Sequence, residues 1–234
     1  MSGPNPDYDH NFMLGSTVYR LLKEHSEEAS NVLHDSPYRS LYVLSEIHGV
    51  KGKPGEWWFR IGTSSVAVAR IIEKALAPSI ELSIGRSHFQ ITEIMIEEPL
   101  SVPGEYITLS PILLRDNRGG KSIVSDSSDY ARILERAINL QVENYLNKDG
   151  TIKVLEFESQ GNSKGIRKRR IKDRVVLAQK GRMLLNGDRE QLKFLVDHGI
   201  GRSPALAFGM IVPGIPLEQI MMIGFNNVKR RRRE

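Results

Sequence analysis

Gly199-Ile200-Gly201-Arg202-Ser203-Pro204-Ala205-Leu206-Ala207-Phe208-Gly209 joins a helix-forming segment, capped by Asp188 and running to about His198, to a strand-forming segment at residues 205–212. That setting separates it from the better-known phosphate loops. A dinucleotide fingerprint follows a strand and opens a helix, and Pro204 stands where its third glycine would fall; a Walker A loop needs Gly-Lys followed by Ser or Thr. Glycines at positive φ bring backbone N–H groups close to a ligand, so this stretch reads as a concave anion site to which Arg202 and Ser203 add charge and a hydroxyl. Terminating the preceding helix would account for Gly199 alone. Gly201 and Gly209 ask for more.

Working outward, residues 106–114 read as a strand and residues 129–146 as a helix capped by Ser127 or Ser128. Residues 151–157 form another strand, a basic loop follows at 164–172, and residues 175–178 and 182–185 are strand-like before the last helix and strand. The order β-α-β-β-α-β is the split β-α-β unit of ferredoxin-like folds. The first half repeats it without an opening strand. Residues 12–23 and 27–33 are helical, 41–47 and 56–62 form a hairpin, a helix capped by Ser64 or Ser65 runs to Leu76, and strand pattern covers 80–96, broken at Gly85. Seven residues with two prolines precede Tyr8, so that opening strand is expected to be missing or very short. The fold class predicted is α+β: two tandem ferredoxin-like (RRM-like) domains, each an antiparallel sheet with helices on one face. They span 1–98 and 104–213, joined around Pro99, Pro103 and Gly104, with a basic extension at 214–234.

The net charge of +5 is local. Residues 161–174 carry seven Lys or Arg against one Asp, and residues 229–234 carry five against one Glu, so the remaining chain is net negative by five. Concentrated positive charge suits a polyanion, because each neutralised phosphate releases condensed counterions. Cysteine is absent, which excludes thiol nucleophiles and cysteine-ligated metal sites. No apolar run approaches the roughly 20 residues of a membrane span, and a cytoplasmic protein without cofactor or metal is expected.

The pattern Gly199-x-Gly201 with Phe208-Gly209, together with Tyr8-Asp9-His10-Asn11-Phe12-Met13-Leu14-Gly15-Ser16-Thr17-Val18-Tyr19-Arg20-Leu21-Leu22 and the tandem domains, resembles the CRISPR-associated repeat RNA endoribonucleases. These are the sixth Cas family, within the repeat-associated RNA-binding superfamily. The resemblance implies metal-independent cleavage of precursor CRISPR RNA: a ribose 2′-hydroxyl attacks the adjacent phosphodiester, leaving a 2′,3′-cyclic phosphate and a 5′-hydroxyl. It places the catalytic histidine at His34 and its tyrosine partner at Tyr19. Arg39 stands where some relatives have lysine; it can stabilise phosphorane charge but cannot act as a base. RNA contacts are expected from Gly199, Gly201, Arg202 and Ser203, and from Lys164, Arg167, Lys168, Arg169, Arg170 and Lys172, where a repeat stem or its phosphates would pass. The implied partners are CRISPR repeat RNA, subunits of a CRISPR effector complex and a second copy of the chain. A relative that holds repeat RNA but has lost cleavage remains an alternative, as does a small-molecule enzyme on the same scaffold. Of the other histidines, His25 reads as a solvated helix residue, His48 lies by a turn, and His198 precedes the glycine loop. Trp57 and Trp58 must face opposite sides of one strand.

Overall fold

The computed structural model describes residues 1–6, 9–25, 41–116, 120–124, 127–160 and 165–214. The first half contains α1 (His10–His25), β1 (Val43–Leu44), β2 (His48–Gly49), β3 (Trp57–Trp58), β4 (Ile61–Gly62), α2 (Val66–Ala75), β5 (Glu81–Ile84) and β6 (Ser87–Gln90). β1 pairs with β4 and β2 with β3, two pieces of one bent hairpin. Ser45 bridges the bend: its N–H donates to Arg60 O at 2.9 Å, and its Oγ accepts from the Arg60 N–H at 2.8 Å.

The opening strand expected to be missing or very short is reduced to Met1–Gly3. Ser2 bridges antiparallel to both Glu56 and Gln90. Its N–H donates to Gln90 O, the Gln90 N–H returns to Ser2 O, and Trp57 N–H donates to Met1 O. The N-terminal segment thus lies between the β3 edge and β6, giving the order β2, β3, Ser2, β6. The segment at 80–96 differs from the reading as one broken strand. It is a hairpin that turns at Gly85 (φ +64°) and ends its pairing at Gln90. Ser65 caps α2, its Oγ accepting from the Val68 N–H.

The second half contains β7 (Gly104–Thr108), β8 (Leu114–Arg115), β9 (Ser122–Ile123), α3 (Ser127–Leu146), β10 (Lys153–Ser159), β11 (Ile166–Ile171), β12 (Arg174–Gln179), β13 (Gly181–Asn186), α4 (Arg189–His198), a 3-10 turn (Pro204–Leu206) and β14 (Ile211–Pro213). Its main sheet has the order β10-β13-β7-β14, all antiparallel. That is the ferredoxin-like order, and the first half reproduces it. α3 and α4 cover one face, where Tyr130, Leu134, Ile138 and Val142 pack against Phe157, Met183, Leu185, Leu192 and Leu195. Asn139 on α3 clasps the Ile152 backbone through both its carbonyl and its N–H, each at 2.9 Å, which fixes the helix over the sheet.

Three segments depart from the sequence reading. Residues 106–114 are not one strand, because β7 ends at Thr108 and β8 turns away to pair with β9. The basic segment is not a loop: β11 pairs residue for residue with β12, so its alternating side chains take opposite faces. The last strand starts at Ile211, because Ser203 and Ala207 adopt left-handed conformations around the Pro204 turn. No described helix is long and apolar enough to cross a membrane.

Gly209, two residues before β14, lies against the Ile200 backbone at φ +74°, and an added Cβ would run into Ile200 O. Gly52 has a similar φ of +78° but open space around it. Gly52→Ala should therefore cost about 1 kcal/mol from backbone strain, and Gly209→Ala at least about 2 kcal/mol more from the collision. Urea unfolding of the two variants checks this; equal midpoints would contradict the packing described.

Candidate nucleic-acid interface

The glycine-rich loop is not the open amide nest that the sequence suggests. Gly199 N–H donates to Leu195 O, Ile200 N–H to Gly209 O, Gly201 N–H to Gln141 Oε1, Arg202 N–H to Leu113 O, and Gly209 N–H to Pro111 O. Leu206 and Ala207 donate within the 3-10 turn. With these donors used inside the chain, the glycines serve close approach. A Cβ on Gly199 would meet Val43, and one on Gly201 would meet Leu113 O. From the other side α1 is fastened to the loop: buried Asn11 donates to Ala207 O at 2.7 Å, and Gly15 faces Ala205 O with no room for a side chain. The loop offers solvent the exposed Arg202 and the half-buried Ser203. Tyr19 lies one helical turn beyond Gly15, on the same side of α1, and is half-buried. His34, Arg39 and Lys164 lie outside the described residues, as does the basic tail.

The β11–β12 hairpin sorts its cations by strand alternation. Lys168 and Arg170 are exposed on the outer face, Lys172 is exposed at the turn, and Arg167 is half-buried. Arg169 faces inward and is removed from the expected RNA contacts. Its guanidinium is buried against Glu46, with Nη2 at 2.5 Å and Nε at 3.2 Å, while Lys180 Nζ holds the other carboxylate oxygen at 2.7 Å. Glu46 belongs to the first half, so these two ion pairs tie the halves together. Beside them Ser110 Oγ donates to Leu44 O and accepts from the Met210 N–H.

The open face of the second sheet carries a different charge. Glu105, Glu156 and Glu158 are exposed there with Arg182 among them; Arg182 leans on Glu105 at 3.7 Å, while Lys153 reaches Glu135 of α3 at 3.0 Å. Ile107 and Val212 of the same face pack with Val43 and Trp58 of the first half. Carboxylates repel a phosphate backbone, so the cationic surface is the hairpin rather than the sheet.

Neither tryptophan stands open for a base. Trp57 Nε1 donates to Gly3 O at 3.1 Å, and Trp58 stacks on His48 with ring centroids 4.5 Å apart. His48 Nε2 meets Leu109 O at 3.0 Å. His198 stacks on Phe194 and meets Ser64 Oγ at 2.8 Å, and His25 Nδ1 meets Leu21 O at 2.9 Å. Buried His10, given no role by the sequence, accepts the Ile47 N–H at Nε2. Glu46 escaped the sequence reading, although a lone carboxylate inside the run Tyr42-Val43-Leu44-Ser45-Glu46-Ile47 is a signal, because a buried charge needs partners.

Residues 97–212 match the family model described as CRISPR associated protein Cas6, C-terminal. The chain carries a Cas6 C-terminal domain. Solved structures of the same fold extend the likeness along both halves. One described as CRISPR associated protein Cas6 has a TM-score of 0.70 at 19% identity, covering 92% of this chain and 96% of that one. A Cas6-related protein from Pyrococcus furiosus has a TM-score of 0.69 at 19% identity, with 90% and 93% covered. A structure described as a Cas6 product complex has a TM-score of 0.62 at 16% identity, with 91% and 96% covered. No curated protein sequence matches the chain. Within the Cas6 domain lie both the cationic hairpin and the glycine-rich loop.

The buried seam that ties the Cas6 domain to the first half is acid-sensitive in two steps. Burial alone would push the Glu46 carboxyl up, but Lys180 and Arg169 hold it down to about 2. Its contribution is complete above the ordinary value near 4.5 and drains as pH falls toward 2. Burial, then Lys180, lowers His48 to about 4 from 6.5. The unfolded histidine takes its proton first, so stability falls as pH drops from about 6.5 to 4, by on the order of 3 kcal/mol. His48→Gln should remove that upper step and leave the lower one, as read by denaturation at a series of pH values. An unchanged upper step would assign it elsewhere.

Proposed function

We propose that the chain binds CRISPR repeat RNA across the outer face of the β11–β12 hairpin and cleaves precursor CRISPR RNA without a metal ion. The observation that carries this reading is the cationic hairpin inside the Cas6 domain: residues 97–212 match that family, and Lys168, Arg170 and Lys172 point to solvent from within it. Phosphate contacts from such a surface position the strand and carry little sequence information. Arg202, exposed on the glycine-rich loop, adds a further cation within the same domain.

In the proposed reaction the ribose 2′-oxygen attacks the adjacent phosphorus while the bond to the leaving 5′-oxygen breaks. Atoms and charge balance with one proton leaving the 2′-hydroxyl and one arriving on the 5′-oxygen. His34 carries those proton transfers, because an imidazole with an ordinary pKa near 6.5 exists in both forms near neutral pH. Tyr19 orients the 2′-oxygen through its hydroxyl, and Arg39 stabilises the charge that builds on the phosphorane. The products are a 2′,3′-cyclic phosphate and a 5′-hydroxyl.

His34→Ala should slow single-turnover cleavage of labelled repeat RNA in EDTA by about 10²- to 10⁴-fold while leaving affinity unchanged. Tyr19→Phe should slow it by less. A 2′-deoxy substitution at the scissile nucleotide should stop cleavage by removing the nucleophile. Binding without cleavage by the wild-type chain would leave a holding module and contradict catalysis; cleavage that requires an added metal would contradict the mechanism.

A further inference from the structure

Beside the outer face of the hairpin lies a cleft that none of the sequence motifs accounts for. It is lined by Arg115 of β8, Lys121 and Ser122 at the start of β9, and Arg174, Val175 and Leu177 of β12. No carboxylate is among the described residues that line it. The β8–β9 hairpin is held against the edge of β12 by Ser122 Oγ, which accepts the Leu177 N–H at 3.0 Å. Three features distinguish the cleft from a solvated charged edge.

First, three cations line it from two separate hairpins, Arg115 and Lys121 from β8–β9 and Arg174 from β12. Second, its floor is apolar: Val175 is 51% exposed and Leu177 36% exposed, an unfavourable display for two aliphatic side chains on a strand unless something covers them. Third, Arg115 Nε is buried and meets no hydrogen-bond acceptor among the described residues. A buried unsatisfied donor of a charged group is costly, so a residue lining the cleft is short of one acceptor. The register of the hairpin joins this cleft to the cations already described. Lys168 stands opposite Leu177 and Arg170 opposite Val175, so the cleft floor and the two exposed cations share one face. The track runs from Lys168 and Arg170 across the aliphatic pair to Arg115, Lys121 and Arg174.

We infer that this cleft is a nucleotide subsite for the RNA strand as it leaves the hairpin. One phosphate lies among Arg115, Lys121 and Arg174, and its nucleoside covers Val175 and Leu177. The inference rests on the RNA-binding reading given above and names where a second group of phosphates is held. The mixture of three cations with an aliphatic floor suits a nucleotide of a single strand, whose base or ribose is available to pack, better than the backbone of a closed duplex.

The test is the affinity of the full chain for fluorescently labelled repeat RNA, measured by anisotropy across a salt series. Four proteins are compared: wild type, Lys168→Ala/Arg170→Ala, Lys121→Ala/Arg174→Ala and Arg115→Gln. Lys121 and Arg174 are exposed, so their double variant keeps the fold even where Arg115→Gln does not, and thermal melting verifies this. Lys121→Ala/Arg174→Ala should weaken binding at low salt. It should also flatten the dependence of log affinity on log salt by about 0.7 for each phosphate that the variant no longer neutralises. Affinity and slope equal to wild type in that variant, with weakening confined to Lys168→Ala/Arg170→Ala, would overturn the subsite and leave RNA binding standing. Wild-type affinity that ignores salt would overturn the RNA-binding reading and the subsite with it. An unchanged slope combined with abolished affinity for an acidic peptide would assign the cleft to a protein partner and overturn it as well.

Discussion

A buried carboxylate sets the geometry of the molecule. Glu46, inserted from the first half, lies between Arg169 and Lys180 of the second. All three are largely withdrawn from water, and removing one partner of such a group leaves an uncompensated buried charge, a cost of about 3–5 kcal/mol. The consequence for the surface is geometric. Because side chains alternate along a strand, anchoring Arg169 inward obliges Lys168 and Arg170 to face outward. The pairing of β11 with β12 then places Val175 and Leu177 beside them. One ion-pair cluster thus joins the halves and decides which face of the hairpin is cationic.

The glycine-rich loop completes the seam from the other side. It passes between α1 and the second half so closely that Gly15, Gly199, Gly201 and Gly209 have no room for a Cβ. Its N–H groups are largely consumed by Leu195, Gly209, Gln141 and Leu113. Rigidity, rather than an open amide nest, is what the loop supplies, and it holds α1 with Tyr19 in fixed relation to the Cas6 domain. The open face of the second sheet, with Glu105, Glu156 and Glu158, disfavours a phosphate backbone. The exposed cations Lys168, Arg170 and Lys172 lie on the hairpin instead.

The order of elements was legible because hydrophobic period, caps and turns agree locally: Asp188 does cap α4, Ser65 does cap α2, and Gly85 does turn. What was illegible depended on neighbours distant in sequence. Met1–Gly3 has no strand pattern and becomes a strand only because Glu56 and Gln90 offer open edges. The run at 164–172 looked like a solvated loop because its charges hide the alternation, and Arg169 is distinguished from its neighbours only by Glu46, 123 positions away. The cleft at Arg115, Lys121 and Arg174 gathers residues no motif connects. The close packing at the loop glycines was likewise illegible, because it depends on Leu113, Gln141 and Val43, far off in sequence.

The central claim is that the RNA lies on the outer face of the hairpin and not on the open face of the sheet. Hydroxyl-radical footprinting of the full chain with and without repeat RNA, read by mass spectrometry, tests it directly. Val175 and Leu177 are exposed on the first surface, and Leu184 on the second. Protection of Val175 and Leu177 with Leu184 unchanged is the expected result; protection of Leu184 with Val175 and Leu177 unchanged would contradict the account.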